Sequence, residues 1–280
     1  MAEVRSLLRT GTARARIVLL IGLLAAEAGL IHIYVSDNAF LRDRVAEAVA
    51  GVERPSELVV TLTDFVRREV PPKIEQKPFL HPLFMPLRPP PRAVVEWGGD
   101  CADKSRLLIT LLRLHGVSAG KVALYDDGGV SRHAVVRADI ENGATMVVDA
   151  LYGMYFPRPA GGYYTVSDIT ADEGILKARV AQLGADGGDG FRPPVARYPF
   201  DRYTYRQPRS INWEKLFLTR WLYAGLHAVM GDDVDTITRP FWAERPALML
   251  LFLCVGLQLF LLATWLPGMW KRRRRARGAA

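Results

Sequence analysis

Two apolar runs bracket the chain, and between them hydrophobic residues recur first with a helical period and then with a period of two. Residues 17–35 are apolar except for Glu27 and His32, and residues 247–266 form the second run. Each is long enough to cross a hydrocarbon core of about 30 Å at roughly 1.5 Å per residue. Ser36 and Asp37 are placed to cap a helix through Phe40, Leu41, Val45 and Val49. Pro55-Ser56-Glu57 opens another, with Leu58, Val59, Leu62, Phe65, Val66 and Val70 on its apolar face and Pro71-Pro72 as its stop. Residues 71–91 hold too many prolines for a helix or inner strand. Phe79, Leu80, Phe84 and Met85 there suit a strip packed along the domain and a plain surface loop equally.

Leu107, Leu108, Leu111, Leu112 and Leu114 then predict a half-buried helix that begins near Cys101 and ends at His115-Gly116. Residues 121–125, 133–140 and 144–149 read as strands, and Asp126-Asp127-Gly128-Gly129 as the turn between the first two. Glu141-Asn142-Gly143 suits a three-residue hairpin loop with glycine in the left-handed conformation. In that register Ile140 faces Ala144 and His133 lies opposite Leu151. Asp149 becomes the diagonal, same-face neighbour of His133, at roughly 7–8 Å between backbones. A slip of one residue would separate them.

Further on, residues 151–156 are aromatic and suit either a groove wall or ordinary core. Ser167-Asp168 reads as the cap of one helix ending near Leu183, and residues 184–194 as a glycine-rich linker. Residues 198–205 are aromatic and basic, a loop or edge strand expected near the membrane. Asn212 opens a segment whose Trp213, Leu216, Phe217, Trp221, Leu222, Leu226 and Val229 share a broad apolar face. Glu214, Lys215 and Arg220 interrupt it too often for a third span, so it lies at the interface or packs on the domain.

Charge sets the expected topology. The net charge of +8 comes largely from clusters beside the apolar runs: Arg5, Arg9, Arg14 and Arg16 before the first, and residues 271–277 after the second. Basic flanks stay on the cytoplasmic side, so this pattern speaks for membrane topology rather than nucleic-acid binding. The expected organisation is a basic cytoplasmic N-terminus (1–16), a span (17–35), an extracytoplasmic domain (36–183), a linker and membrane-proximal segment (184–246), a second span (247–266) and a basic cytoplasmic tail (267–280). This is an inner (plasma) membrane protein in contact with the lipid bilayer at two places. A rival reading makes Ala26-Glu27-Ala28 a signal-peptidase site and leaves the second anchor alone. The middle domain faces out in both.

Candidate chemistry centres on Cys101. At a helix N-terminus the unpaired N–H groups and the macrodipole favour a thiolate, which is a nucleophile. Cys254 lies inside the second apolar run, so Cys101 is expected to be a free thiol in an oxidising compartment, where idle thiols are rare. His133 on one strand and Asp149 on the next complete a Cys, His, Asp set: Cys101 attacks a carbonyl, His133 shuttles the proton, and Asp149 fixes the imidazole tautomer and stabilises its cation. The Cys101 N–H is one oxyanion donor, Trp97 a candidate for the second, and Asp100 and Tyr152 are further candidates beside the site. Asp100 and Asp103 read more simply as cap and dipole partners than as metal ligands. A Cys101–His133 zinc site lacks further ligands at the required spacing. No metal and no organic cofactor are expected.

In residues 99–108, Gly-Asp-Cys-Ala-Asp-Lys-Ser-Arg-Leu-Leu, the chain resembles the bacterial branch of the transglutaminase-like superfamily, the papain-related group built on a Cys, His, Asp triad. The likeness covers about residues 56–152 and includes the order helix, loop, Cys helix, Leu-His-Gly-Val turn, strand, His strand, Asp strand. It implies an α+β fold with a papain-like core, the catalytic Cys at a helix N-terminus packed on an antiparallel sheet. Ala102, Ala134 and Ala150 stand where the crosslinking enzymes carry tryptophans and a frequent proline, which weighs against glutamine–lysine crosslinking and leaves the triad whole. The implied activity is a thiol hydrolase or acyltransferase on peptide or amide bonds of a cell-envelope substrate. The alternative is a non-catalytic transglutaminase-like scaffold that partners membrane proteins of envelope or polysaccharide assembly.

Overall fold

The computed structural model describes residues 2–71, 88–184, 195, 198–200, 202–211, 213, 217–231, 234, 237 and 239–277. The chain divides into two units. One comprises Met1–Ser36 and Pro246–Ala280, and the other Asp37–Arg245. Helix α1 spans Ala2–Val45 without a break. The expected cap at Ser36 and Asp37 is therefore not a helix start. Ser36 Oγ instead donates back to the Ile33 carbonyl at 3.1 Å, the way a serine is accommodated inside a helix. Two stretches, Arg14–Val45 and Pro246–Trp265, are long and apolar enough to cross a membrane. Only 6% and 0% of their most apolar windows are buried, so neither is a core helix, and the pair fits a membrane protein.

Within the Asp37–Arg245 unit the helices come first. α2 covers Pro55–Glu69 with proline in its first turn, α3 Pro91–Trp97, and α4 Cys101–Leu114. Most of the proline-dense segment, residues 72–87, lies outside the described residues. Its last proline, Pro91, opens α3, because a proline at the first helical position gives up an N–H that has no helical acceptor anyway. The strands follow: β1 Ala119–Tyr125, β2 Ser131–Asp139, β3 Thr145–Asp149 and β4 Met154–Tyr155. Next come α5 Val166–Ala171, α6 Glu173–Leu183, β5 Thr204–Arg209 and α7 Phe217–Met230. α8, Pro246–Arg277, carries the second apolar stretch.

The sheet is antiparallel throughout, in the order β4-β3-β2-β1-β5. Its alternate faces feed two cores, as a period of two requires. Val136, Ala138, Met146 and Val148 pack against Leu41, Val45, Leu62, Val66, Leu108 and Leu111 from α1, α2 and α4. Val122, Leu124, Val135 and Val147 pack on the other face against Ile169, Leu176 and Val180 from α5 and α6. Each fully buried aliphatic side chain contributes about 1.5–3 kcal/mol. The structure is an α+β domain with helices on both faces of one sheet.

Three expectations change here. The single helix ending near Leu183 is two, α5 capped by Thr165 and α6 capped by Asp172. Asp172 holds an extended backbone and accepts the Gly174 N–H at 2.8 Å, which restarts the helix in a new direction. The expected 184–246 linker supplies β5, which closes the β1 edge of the sheet. Residues 185–194 and Asn212 lie outside the described residues, while α7 appears where the apolar face predicted a helix. In the hairpin loop, Asn142 as well as Gly143 is left-handed, at φ 59° and 71°.

A buried ion network ties α4 to the end of this unit. Arg106 is 2% exposed. Its Nε and Nη2 donate to the Glu244 carbonyl at 3.2 Å each, and its Nη1 lies 3.4 Å from Asp103 Oδ1. Glu244 is equally buried and pairs with Arg239 at 3.3 Å and Arg106 at 3.7 Å. Burial lowers the Arg106 pKa to about 10 against the pull of Glu244 and Asp103. The neighbouring Arg245 hydrogen-bonds Asn38 Oδ1, so the beginning and the end of the unit are fastened together. Removing one member of such a pair leaves a buried charge, and Arg106→Met should lower stability by about 3 kcal/mol. Urea unfolding of the detergent-solubilised chain, with Arg106→Met, Glu244→Gln and the double variant, measures it. The double variant should lose less than the sum of the two.

Candidate active site

Cys101 owes its position to the turn before it. Gly98 closes α3 at φ 80°, and its N–H donates to the Val94 carbonyl at 2.9 Å. A Cβ on Gly99 would lie 2.6 Å from Asp103 Cβ and 3.1 Å from Val94 Cγ1, so only glycine lets α3 and α4 approach this closely. Asp100 then caps α4 in a full capping box. Its carboxylate accepts the Asp103 N–H at 2.9 Å, and the Asp103 carboxylate reaches back to the Asp100 N–H. The Lys104 N–H goes to the Asp100 carbonyl at 2.9 Å. Cys101 and Ala102 precede these residues, in the first turn, whose N–H groups have no helical acceptor and point at any anion held there. The Cys101 side chain is half-buried and unpaired with other sulfur.

His133 arrives from the sheet. The register is the expected one: Val136 pairs with Val148 and Asp139 with Thr145, and the Ile140 N–H reaches the Ala144 carbonyl at 2.8 Å. A bulge between Leu124 and Tyr125 of β1 interrupts the ladder just beside His133. His133 Nε2 donates to Asp149 Oδ2 at 2.6 Å, and neither side chain has any exposed surface. Asp149 Oδ1 accepts the N–H groups of Leu151 and Tyr152 at 3.0 and 3.1 Å, which fixes the carboxylate in place.

With Nε2 committed, Nδ1 is the nitrogen left for the thiol. It is buried and makes no hydrogen bond of regular geometry among the described residues. Cys101 is among the groups that raise the pKa of this ring, by hydrogen bonding and by charge. Burial alone would lower the His133 pKa. The charge and hydrogen bond of Asp149, with those of Cys101, overcome that and push it up to about 10. The ring is therefore an imidazolium at neutral pH.

Of the other expected residues, Tyr152 is buried and meets the His133 ring edge-on at 6.0 Å between centroids. Asp100 is the cap, with Arg88 3.6 Å from its carboxylate. Trp97 ends α3 with its side chain 40% exposed, three residues before that cap. His115 closes α4, its Nδ1 2.9 Å from the Leu111 carbonyl, and His227 lies exposed on α7 beside Tyr223. His81 lies outside the described residues.

Two residues next to the triad escaped the sequence reading. Tyr203 stacks flat on His133, with centroids 4.1 Å apart and planes 9° apart. The aromatic run 198–205 was visible, yet no spacing ties it to a histidine some seventy residues earlier. Lys104 is fully buried, and its Nζ donates to the Val70 carbonyl at 3.0 Å. Burial lowers its pKa to about 8, opposed by Asp149, which places a cation within electrostatic reach of that carboxylate. The only sequence hint was a lysine on the apolar side of a helix.

The chain matches no protein-family model, no curated protein and no solved structure.

The raised His133 pKa makes a signed prediction. The folded state binds this proton more tightly, so the stabilisation is complete below 6.5 and is lost as pH rises through about 10. Chemical unfolding across that range should show stability falling with pH in the native chain relative to His133→Gln. Comparing the two removes the opposite slope from Lys104, whose lowered pKa favours the folded state as pH rises.

Proposed function

We propose that this chain is a membrane-tethered, outward-facing thiol enzyme with a transglutaminase-like core, acting on amide bonds by hydrolysis or acyl transfer. The observation that carries the reading is a half-buried Cys101 at a capped helix N-terminus, within electrostatic reach of a fully buried His133–Asp149 pair. In the proposed topology the apolar runs 17–35 and 247–266 are the spans, both basic termini are cytoplasmic, and the substrate is a peptide or protein of the cell envelope.

The chemistry follows from those groups. The Cys101 thiolate adds to the carbonyl carbon, forming a C–S bond while the C=O π pair moves onto oxygen. The N–H at the start of α4 meets that oxyanion. Collapse breaks the C–N bond, and the His133 imidazolium gives its proton to the leaving amine. Neutral His133 then takes a proton from the attacking water or acceptor amine. The C–S bond breaks, and the thiolate–imidazolium pair is restored. Asp149 holds the ring throughout and balances its charge.

A second reading, a non-catalytic binding or scaffold domain, draws on the complete burial of the His133 side chain beneath Tyr203.

The test is acyl-enzyme formation. Full-length protein in micelles, mixed with p-nitrophenyl acetate, should release a burst of nitrophenolate and carry one acetyl group on Cys101 by mass spectrometry. Cys101→Ala should abolish both, and His133→Ala should slow acylation by about 10²-fold or more. Retention of the burst in Cys101→Ala would overturn the enzyme reading in favour of the scaffold.

A further inference from the structure

The chain segment beyond the Cys, His and Asp elements reaches back over the histidine. β5 pairs with β1, Thr204 facing Tyr125, and β1 pairs with β2, Leu124 facing His133. Tyr203, one residue before β5, is thereby delivered across β1 onto the imidazole. Its position is clipped from both sides. Its own N–H donates to the Pro199 carbonyl at 3.0 Å. Thr204 Oγ1 donates to the Tyr125 carbonyl, and Thr170 Oγ1 to the Tyr205 carbonyl, each at 2.7 Å. Tyr198 packs against both Tyr203 and Tyr152, with centroids 5.6 and 4.9 Å away, so the rings form one wall.

From this geometry we infer that Tyr203 is a positioning residue for His133: its ring face holds the imidazole plane toward Cys101 and stabilises the imidazolium. The inference rests on the thiol reading above. Two physical effects carry it. A cation lying flat on an aromatic face is attracted by the ring quadrupole, most strongly where water is excluded. The His133 side chain has no exposed surface, and the stacked ring is what covers that face. Excluding water also strengthens the attraction between imidazolium and thiolate. The charges of Cys101 and Asp149 both raise the Tyr203 pKa, so the ring stacked on His133 is within electrostatic reach of those two residues as well. A role confined to folding would leave the thiol's reactivity unchanged once the domain had formed.

The experiment measures the rate of Cys101 alkylation by iodoacetamide as a function of pH. It uses the full chain in micelles with Cys254→Ser, so that a single thiol reports. His133→Ala should slow labelling at pH 6 while leaving the rate at pH 9 nearly unchanged. Tyr203→Leu should slow it at pH 6 by about tenfold, the weight of a desolvated cation–π contact. Tyr203→Phe, which keeps the ring face, should label like the parent. Tyr203→Gln, polar and of similar reach, supplies a second non-stacking variant, and thermal unfolding establishes that each is folded. A parent-like pH profile in the folded Tyr203 variants, with His133→Ala slow, would overturn the positioning role alone. If His133→Ala itself labels like the parent, the thiol reading falls and the inference falls with it.

Discussion

Everything near Cys101 depends on keeping one imidazole–carboxylate pair out of water. Isolated burial of either charge would be prohibitive, and the effective desolvation penalty amounts to several kcal/mol per ion even after relaxation. The 2.6 Å bond between His133 and Asp149 offsets that together with the groups packed around the pair. Two backbone N–H groups hold the far oxygen of Asp149, Tyr203 covers the imidazole face, and Lys104 lies within electrostatic reach of the carboxylate. A hairpin slip of one residue would turn one member of the pair to the opposite face of the sheet. The register set by Glu141-Asn142-Gly143 is therefore a condition of the chemistry as well as of the fold.

The helix that presents the thiol is held by charges from the other direction. Asp103 joins the cap at Asp100 to Arg88 at 3.1 Å and to Arg106 at 3.4 Å. Arg106 continues the chain of contacts to Glu244. Burial alone would raise the Glu244 pKa. The surrounding Lys121, Arg239, Arg106 and Arg88 more than reverse it, so the carboxylate stays ionised inside the domain. Hydrophobic residues of equal volume would serve stability as well or better. What the ions add is direction: guanidinium forks fix α4 to one backbone carbonyl at the end of the domain, where a greasy contact could slide.

How much of this was legible in the sequence follows the range of each interaction. The α4 stripe, the His115-Gly116 stop and the β2–β3 hairpin are local patterns, and they appear at the expected residues. Cys101, His133 and Asp149 could be brought together because two of them share one hairpin and the third opens the next helix upstream. The misses are of two kinds. Ser36, Asp37 and Asp172 are all good cap residues, yet only Asp172 starts a helix, since capping competes with whatever apolar face continues through it. Tyr203, Arg106 and Glu244 act across long sequence distances, and nothing in their neighbourhoods specifies a partner. The acidic and aromatic residues were visible; their pairings were not.

The distribution of the site along the chain also argues about what makes a functional unit here. The resemblance read from the sequence stops near Tyr152, and a boundary at 183 is expected because a glycine-rich segment follows. A chain stopped there would contain all three triad residues and both hydrophobic faces of the inner strands. It would lack β5, leaving the hydrogen-bonding edge of β1 open, and it would lack the ring that shields His133. It would also lack Glu244, leaving Arg106 buried without its principal acceptor. The last two omissions each remove a partner from a buried charge, a kind of deletion that an apolar core cannot absorb. The segment between the sheet and the second apolar helix is thus part of the machinery that holds the thiol and its histidine in register.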